Sequence, residues 1–266
     1  MKDKLLIYIV SYQRKGYTQG TIDAMYKVLP NNSQIIVCDN GSTDGTREWL
    51  QENQKKYNLG LLFPDENLRV GGAWTLLTKY YKASDWDYIL LLDNDCWILP
   101  DKTWFDTCIN LFNSDNQIGS LGLFKERKPG YFAKEQLFDQ NFNNKKQFQN
   151  IEYYDTVFYA GARLDKFTIW HETMSDWPHK FIGDKIGRYY NSIGCRTLKL
   201  FPGFIIDISS RDFTNPLHED YNKWFYSNER TENEYARVSN LTLSNDNLIE
   251  FVNNNFGNEY LNFLNK

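Results

Sequence analysis

The stretch YILLLDND, from Tyr88 to Asp95, places an uninterrupted apolar run directly before an acidic turn. Strands that are buried on both faces have such runs, and they occur in parallel sheets covered by helices on each side. Similar runs precede it at residues 5–10, 34–38 and 59–63, with helix-compatible segments between them. The sequence therefore predicts an α/β fold with a mostly parallel central sheet flanked by helices, in a single domain of two fused halves.

The remaining elements are predicted from capping residues and apolar spacing. Helices are expected over residues 18–29, 43–57, 71–81, 104–112 and 184–193, and further strands over 119–124, 157–160 and 197–201. Polar residues 125–150 indicate a surface loop. The apolar spacing within 244–266 predicts a packed terminal helix, with a homodimer contact or a peripheral membrane contact as the alternatives. The expected organisation is a first half (1–100), a second half (101–215) and a C-terminal segment with the terminal helix (216–266).

Composition narrows the functional class. The 266 residues carry a net charge of −4, so the strongly basic surface typical of nucleic-acid binding is not expected. The four cysteines have no CxxC spacing, which argues against a zinc finger or a disulfide framework. The apolar N-terminal run is too short for a signal peptide and is interpreted as a first strand. A cytoplasmic location, with contact at the inner membrane face as an option, is the expectation.

Three polar clusters follow predicted strands directly, at residues 11–14, 39–44 and 93–95. Carboxyl ends of parallel strands meet at one edge of a sheet, where ligands collect. Asp93 and Asp95 can share a hard divalent cation, Mg²⁺ or Mn²⁺, which prefers oxygen ligands and leaves positions for phosphate oxygens. An ordinary surface turn is the alternative for this tripeptide. Likewise, Asp39 either contacts a ligand or forms an Asx-turn.

Four segments, taken in order, resemble family 2 glycosyltransferases with a GT-A fold. They are VSYQR (10–14), VCDNGSTDGT (37–46), ENLRVGG (66–72) and LDND (92–95). The resemblance covers about the first hundred residues, and it implies an inverting transfer of a sugar from a nucleotide-diphosphate donor to a hydroxyl of a glycan or glycoconjugate. A UDP-sugar is the expected donor, and the resemblance implies that the first half (1–100) binds it and that the second half (101–215) binds the acceptor.

The resemblance also implies roles for individual residues. Asp39 would contact the uracil or thymine edge, Asp93 the ribose or sugar, and Asp95 the metal that bridges the two phosphates. The remaining expected donor-binding residues are Ser11, Tyr12, Arg14, Asn67, Arg69, Gly71 and Asn94. A turn hydroxyl at Ser11 and an ordinary surface residue at Arg69 are the alternatives.

The second half of the chain would supply the base and a second metal ligand. By resemblance, Asp184 is the general base that deprotonates the acceptor hydroxyl, although it could instead cap the helix that follows. Asp176 is the reserve candidate for the base, and His218 is the expected second metal ligand beside Asp95. A nucleotidyltransferase of similar fold and a non-catalytic sugar- or nucleotide-binding module remain the rival interpretations.

Overall fold

A computed structural model describes residues 3–99, 101–123, 146–156, 162–175, 183–201 and 203–207. Residues 125–145 of the predicted surface loop, the predicted strand over 157–160, the predicted terminal helix, Asp176 and His218 lie outside these ranges. In this part of the chain, no helix is both long enough and apolar enough to cross a bilayer.

The first half alternates strands and helices. Its elements are β1 (Leu5–Ser11), α1 (Lys15–Lys27), β2 (Ser33–Asp39), α2 (Thr46–Tyr57), β3 (Leu59–Leu62), α3 (Arg69–Thr78) and β4 (Tyr88–Asp93). The four strands pair in parallel in the order β3-β2-β1-β4. Their register sets Ser11 opposite Asp39, and Val10 opposite Asp93. The polar residues that end these strands therefore share one edge of the sheet.

The second half extends the same sheet. It contains β5 (Cys96–Ile98), α4 (Trp104–Ser114), β6 (Ile118–Gly122), β7 (Lys146–Phe148), β8 (Ile151–Asp155), β9 (Arg163–Lys166), α5 (Phe167–Ser175), α6 (Gly183–Ser192), β10 (Arg196–Phe201) and β11 (Ile205–Asp207). Beyond β4 the order is β9-β6-β10-β8-β7, and β11 pairs with β5 in a separate two-stranded sheet. The β9 strand is antiparallel to both β4 and β6, and β10 is parallel to β6.

The predicted α/β class is confirmed, with the parallel pairing concentrated in the first half and mixed pairing in the second. Helices occur where each was predicted, with ends that differ by a few residues. The strand β7 lies inside the segment that was predicted as a surface loop, so that prediction was too broad at its end. The predicted start of the second helix at residue 43 was three residues too early, because α2 begins at Thr46 and follows Gly45.

Both faces of the sheet are covered, as the apolar runs require. Alternate residues of β1 enter two separate cores: Leu5, Ile7 and Ile9 pack with residues of α1, α2 and α4. On the other face, Leu6 and Tyr8 pack with residues of α3, α5 and α6. The edge at which the polar residues of β1, β2 and β4 lie is thus the end of a sheet that is packed between two helical layers.

Close packing between α1 and β5 supports the residues that follow β4. A Cβ atom added to Gly20 of α1 would lie 2.7 Å from Nε1 of Trp97, a ring that is buried and two residues after Asp95. We expect Gly20→Ala to destabilise the protein by about 1–3 kcal/mol, since overpacking outweighs the better helix propensity of alanine. Urea denaturation measures this. Gln19→Ala in the same helix is the control, and equal stability of the Gly20 variant would contradict the packing.

Candidate active site

The three polar loops that follow β1, β2 and β4 converge. The amide nitrogen of Asn40 donates to the carbonyl of Ser11 at 2.8 Å, and that of Gln13 donates to Ser42 Oγ at 2.8 Å. Asn94 Nδ2 donates to the carbonyl of Gln13 at 3.1 Å. The structure therefore brings together the three clusters that the sequence placed at strand ends.

Arg14 and Asp95 form an ion pair at the centre of this edge. Arg14 Nη1 lies 2.8 Å from Asp95 Oδ2, and the residues are only 8% and 9% exposed. The guanidinium also lies over the ring of Tyr17, 4.4 Å from its centroid. The expected metal ligand, Asp95, and the expected donor-binding residue, Arg14, are thus paired with each other.

The loop that carries Arg14 has an unusual backbone. Gln13 and Arg14 both have positive φ angles, 56° and 64°. Two consecutive non-glycine residues in the left-handed region cost on the order of 1 kcal/mol each, so surrounding contacts must hold them. Gln13 provides part of this support through a reciprocal pair with Thr43, in which Nε2 donates to Oγ1 and Oε1 accepts from the amide nitrogen, both at 3.1 Å. Sequence reasoning had passed over Gln13.

The carboxylate of Asp39 is fully buried and heavily hydrogen-bonded. It accepts from the amide nitrogen of Ser42 at 3.2 Å, from the Ser42 hydroxyl, and from Arg47 Nε at 3.0 Å. These bonds give Asp39 the local structural role that was weighed against a ligand contact, although its carboxylate bonds the amide three residues on and not two, as in an Asx-turn. Three donors fill most of the roughly four acceptor positions of a carboxylate. A contact between Asp39 and a base stays a prediction, and it requires a neighbouring side chain to shift.

Arg47 is a second site residue that sequence reasoning missed. Its Nη2 donates to the carbonyls of Asp39 and Pro64, both at 3.3 Å, and its guanidinium lies 4.8 Å from the Phe63 ring centroid. A cation in the first turn of a helix opposes the helix dipole, and α2 begins one residue earlier at Thr46. That unfavourable position was the available signal, because it implies an acidic partner nearby.

Removing the Arg47 side chain should loosen this edge. We expect Arg47→Met to lower the free energy of unfolding by about 1–2 kcal/mol, because the buried Asp39 carboxylate loses a charged hydrogen-bond donor. The loss is limited because the Arg47 side chain is partly exposed in the wild type. Chemical denaturation of the purified protein measures the loss. Lys55→Met, an exposed charge removal near the end of the same helix, is the matched control. An equal effect in both variants would show that Asp39 does not depend on Arg47.

The start of α3 joins the same edge. Asn67 Oδ1 accepts from the amide nitrogen of Arg69 at 2.8 Å, and Asn40 Nδ2 donates to the Arg69 carbonyl at 3.4 Å. Asn67 and Arg69 are exposed, whereas Gly71 is buried within the helix. The structure thus places Asn67 and Arg69 on the accessible side of the edge, as a donor-binding role requires.

Other predicted donor-binding residues lie deeper. The Ser11 hydroxyl is buried against Thr18 Oγ1 at 2.9 Å, which also accepts from Asn94 Nδ2 at 3.1 Å. Asn94 and Ser11 therefore hold the loops together, and their contact with a donor stays a prediction. Tyr12 and Asp93 are half-buried at the ends of β1 and β4 and are more accessible.

The carboxylates at this edge fit a hard divalent cation. Asp93 and Asp95 supply oxygen ligands of the kind that Mg²⁺ and Mn²⁺ prefer, and Asp95 already attracts a positive charge. Within the described ranges, no three His, Cys, Asp or Glu residues are grouped closely enough to hold a metal. The β5–β11 pairing sets the backbone of Asp207 opposite that of Cys96, the residue that follows Asp95.

A buried charged network lies behind the site on β9. Arg163 Nη2 lies 2.9 Å from Asp165 Oδ2, and Asp165 also accepts from the hydroxyls of Ser120 and Tyr190. Burial raises the pKa of the Asp165 carboxyl, although Arg163 and both hydroxyls favour its charged form. Tyr190 belongs to α6, whose first turn contains Asp184. The network therefore anchors the helix that carries the predicted base.

Comparisons with known proteins agree with this architecture. The sequence model of glycosyl transferase family 2 matches residues 6–169, more than half of the chain. Abequosyltransferase RfbV from Salmonella typhimurium is 22% identical over 207 residues, 70% of this chain and 61% of that protein. Chondroitin synthase from Escherichia coli is 26% identical over 109 residues, 41% of this chain and 15% of that protein. The chain thus spans less than two thirds of either relative.

Solved structures share the fold. A mannosyltransferase from Pyrobaculum calidifontis, in complex with GDP-Man and Mn²⁺, has a TM-score of 0.63 at 12% identity, covering 100% of this chain and 79% of that one. TarS 1-349 from S. aureus, in complex with UDP-GlcNAc, has a TM-score of 0.56 at 14% identity, covering 98% and 72%. These similarities confirm the expected GT-A type of fold.

Proposed function

This chain belongs to glycosyl transferase family 2, and we propose that it moves a sugar from a nucleotide-diphosphate donor, a UDP-sugar, to a hydroxyl of a glycan or glycoconjugate. The observation that carries the proposal is the convergence of the β1, β2 and β4 loops around Asp95. A nucleotide can span such an edge, with its base near Asp39 and its phosphates near Asp95. The exposed Asn67 and Arg69 border the same edge.

Departure of the nucleotide is the step for which this edge is suited. When bound at Asp95, a Mn²⁺ or Mg²⁺ ion offsets the negative charge that develops on the leaving diphosphate, which is worth several kcal/mol. Asp95 would hold that ion, Asp93 would orient the ribose or sugar, and Arg14 and Arg69 would add positive charge beside the phosphates. His218 is the proposed second ligand.

The acceptor hydroxyl must lose a proton as it attacks. We assign that proton to the carboxylate of Asp184, in the first turn of α6. A positioned base contributes about 10²- to 10⁴-fold to such a reaction. A single displacement aided by one base inverts the configuration at the sugar carbon, in keeping with the family resemblance. Tyr190 and Asp165 support this role by fixing α6 to the sheet.

The nature of the nucleotide is open to a direct test. One structural neighbour is described with GDP-Man and another with UDP-GlcNAc, so both pyrimidine and purine donors belong in the panel. A thermal-shift screen of nucleotide sugars, with and without Mn²⁺, should show the largest stabilisation for a UDP-sugar with metal, because a ligand that binds the native state raises its melting temperature.

Product analysis with the best ligand then tests the reaction. Release of UDP and free or transferred sugar supports the proposal. Release of pyrophosphate when UTP and a sugar 1-phosphate are supplied in place of the nucleotide sugar would identify a nucleotidyltransferase instead. Binding without any turnover would identify a non-catalytic module.

A further inference from the structure

The Arg14–Asp95 ion pair joins two residues to which the proposed function assigns ligands of opposite charge. Asp95 is to hold a metal ion and Arg14 is to face phosphates, yet here they bind each other at 2.8 Å. Both residues are at least nine-tenths buried. A carboxylate this far from water needs a nearby cation or strong donors to stay charged, and Arg14 is a cation at that position.

Arg14 and a divalent ion compete for the Asp95 carboxylate. The guanidinium donates a hydrogen bond to Oδ2 of Asp95, and the proposed metal ion would bind the same carboxylate. Two positive charges within a few ångströms of each other repel strongly in a poorly hydrated site. Entry of the metal therefore weakens the Arg14–Asp95 contact and lets the guanidinium bind a different anion.

The backbone keeps Arg14 at the edge when its side chain is released. The amide nitrogens on either side are bonded to the β2 loop: that of Gln13 to Ser42 Oγ and that of Lys15 to Asp44 Oδ2, each at 2.8 Å. The Arg14 carbonyl also accepts from the amide nitrogen of Tyr17 at 3.0 Å. The Arg14 side chain can therefore change its rotamer while the backbone stays in place. Its planar guanidinium can donate two parallel hydrogen bonds to phosphate oxygens.

We propose that Arg14 is an exchangeable internal cation, which neutralises Asp95 before the donor arrives and transfers to the donor's diphosphate when the metal takes its place. This rests on the proposed function. Through this exchange, Arg14 weakens metal binding by the free protein and strengthens metal binding when nucleotide is present. Metal and nucleotide affinities are then coupled through one side chain, and such coupling is reciprocal.

Titration of Mn²⁺ by electron paramagnetic resonance, first without nucleotide, tests the exchange. We expect Arg14→Gln to bind Mn²⁺ roughly tenfold more tightly than the wild type, since a competing positive charge is removed from a buried carboxylate. Lys15→Gln removes the same charge from the next residue and should change the affinity only about twofold, because Lys15 is partly exposed and its charge is screened by solvent. With UDP present, the affinity gain of Arg14→Gln should vanish or reverse, whereas Lys15→Gln should again resemble the wild type.

The outcomes separate this inference from the proposed function. Equal Mn²⁺ affinity in Arg14→Gln and Lys15→Gln, with and without UDP, would overturn the exchange and leave the metal site intact. Unchanged Mn²⁺ binding by an Asp95→Asn variant would instead remove the metal from Asp95, and the proposed mechanism with it.

A measurement on the wild type covers the case in which Arg14→Gln fails to fold. In protein labelled with ¹⁵N-arginine, the Arg14 side-chain signal, assigned with Arg14→Lys, should shift when diamagnetic Mg²⁺ is added alone and shift again when UDP follows. An Arg14 signal that does not move at saturating Mg²⁺ and UDP would contradict the exchange.

Discussion

Replacing Asp95 with asparagine should lower kcat/KM for sugar transfer by about 10³-fold, since the leaving diphosphate loses the cation that offsets its charge. The same change leaves the buried Arg14 guanidinium without its carboxylate partner. We therefore also expect a lower free energy of unfolding, by about 3 kcal/mol, as for other buried pairs that lose one member. Steady-state kinetics with the donor found in the screen measures the first effect, and chemical denaturation measures the second.

Asp87→Asn is the matched control for Asp95→Asn. Asp87 lies just before β4, at the opposite end of the same strand, where its carboxylate accepts from the amide nitrogen of Lys4 at 2.8 Å. Its replacement should leave kcat/KM near the wild-type value. If Asp95→Asn retained most of its activity while Asp87→Asn lost it, the reacting end of the sheet would be the other one.

Replacing Asp184 with asparagine should lower kcat by about 10²- to 10⁴-fold, because the acceptor hydroxyl loses its base. Asparagine is nearly the same size as aspartate, and Asp184 lies inside the first turn of α6 and not at its cap, so the fold should survive. The affinity for UDP with Mn²⁺ should stay within about twofold of the wild type, since a base that acts on the acceptor contributes little to donor binding. Kinetics and calorimetric titration on one preparation give both values.

Asp176→Asn distinguishes the two candidate bases. Full activity in Asp176→Asn together with a large loss in Asp184→Asn assigns the base to the first turn of α6. The reverse pattern would move the base to Asp176. The expected alternative for Asp184, a cap of the helix, is already excluded because α6 begins at Gly183.

The parallel half of the fold could be predicted because its physical signal is local. The strands β1, β2 and β4 are buried on both faces over most of their length, so each appears in the sequence as an apolar run that ends at a polar turn. Their common direction then brings Asp39 and Asp95 to one edge without further information. The predicted convergence of the three clusters followed from that geometry alone.

The strand β9 could not be predicted in this way. It is four residues long, RLDK, and two of its charged side chains, Arg163 and Asp165, are buried. A charged tetrapeptide is typical of a surface turn, and only a fold that supplies Ser120 and Tyr190 as partners makes it a central strand. Those partners lie 45 and 25 residues away, so no local pattern indicates them.

The pairing of site residues was hidden for the same reason. Sequence reasoning selected Arg14, Asp39 and Asp95 as separate ligands of a donor. The structure shows that Arg14 pairs with Asp95 across 81 residues and that Asp39 is held by Arg47. A charged residue that is chosen for its chemistry still has to be neutralised in the free protein, and its partner depends on tertiary contacts.

The central claim is that Asp95, at the exit of β4, holds a divalent ion against the phosphates of a nucleotide. Anomalous diffraction from crystals soaked in UDP and Mn²⁺ tests it most directly. The account predicts a manganese peak between the Asp95 carboxylate and the diphosphate, with the base towards Asp39. A nucleotide bound elsewhere, or a manganese peak remote from Asp95, would contradict it.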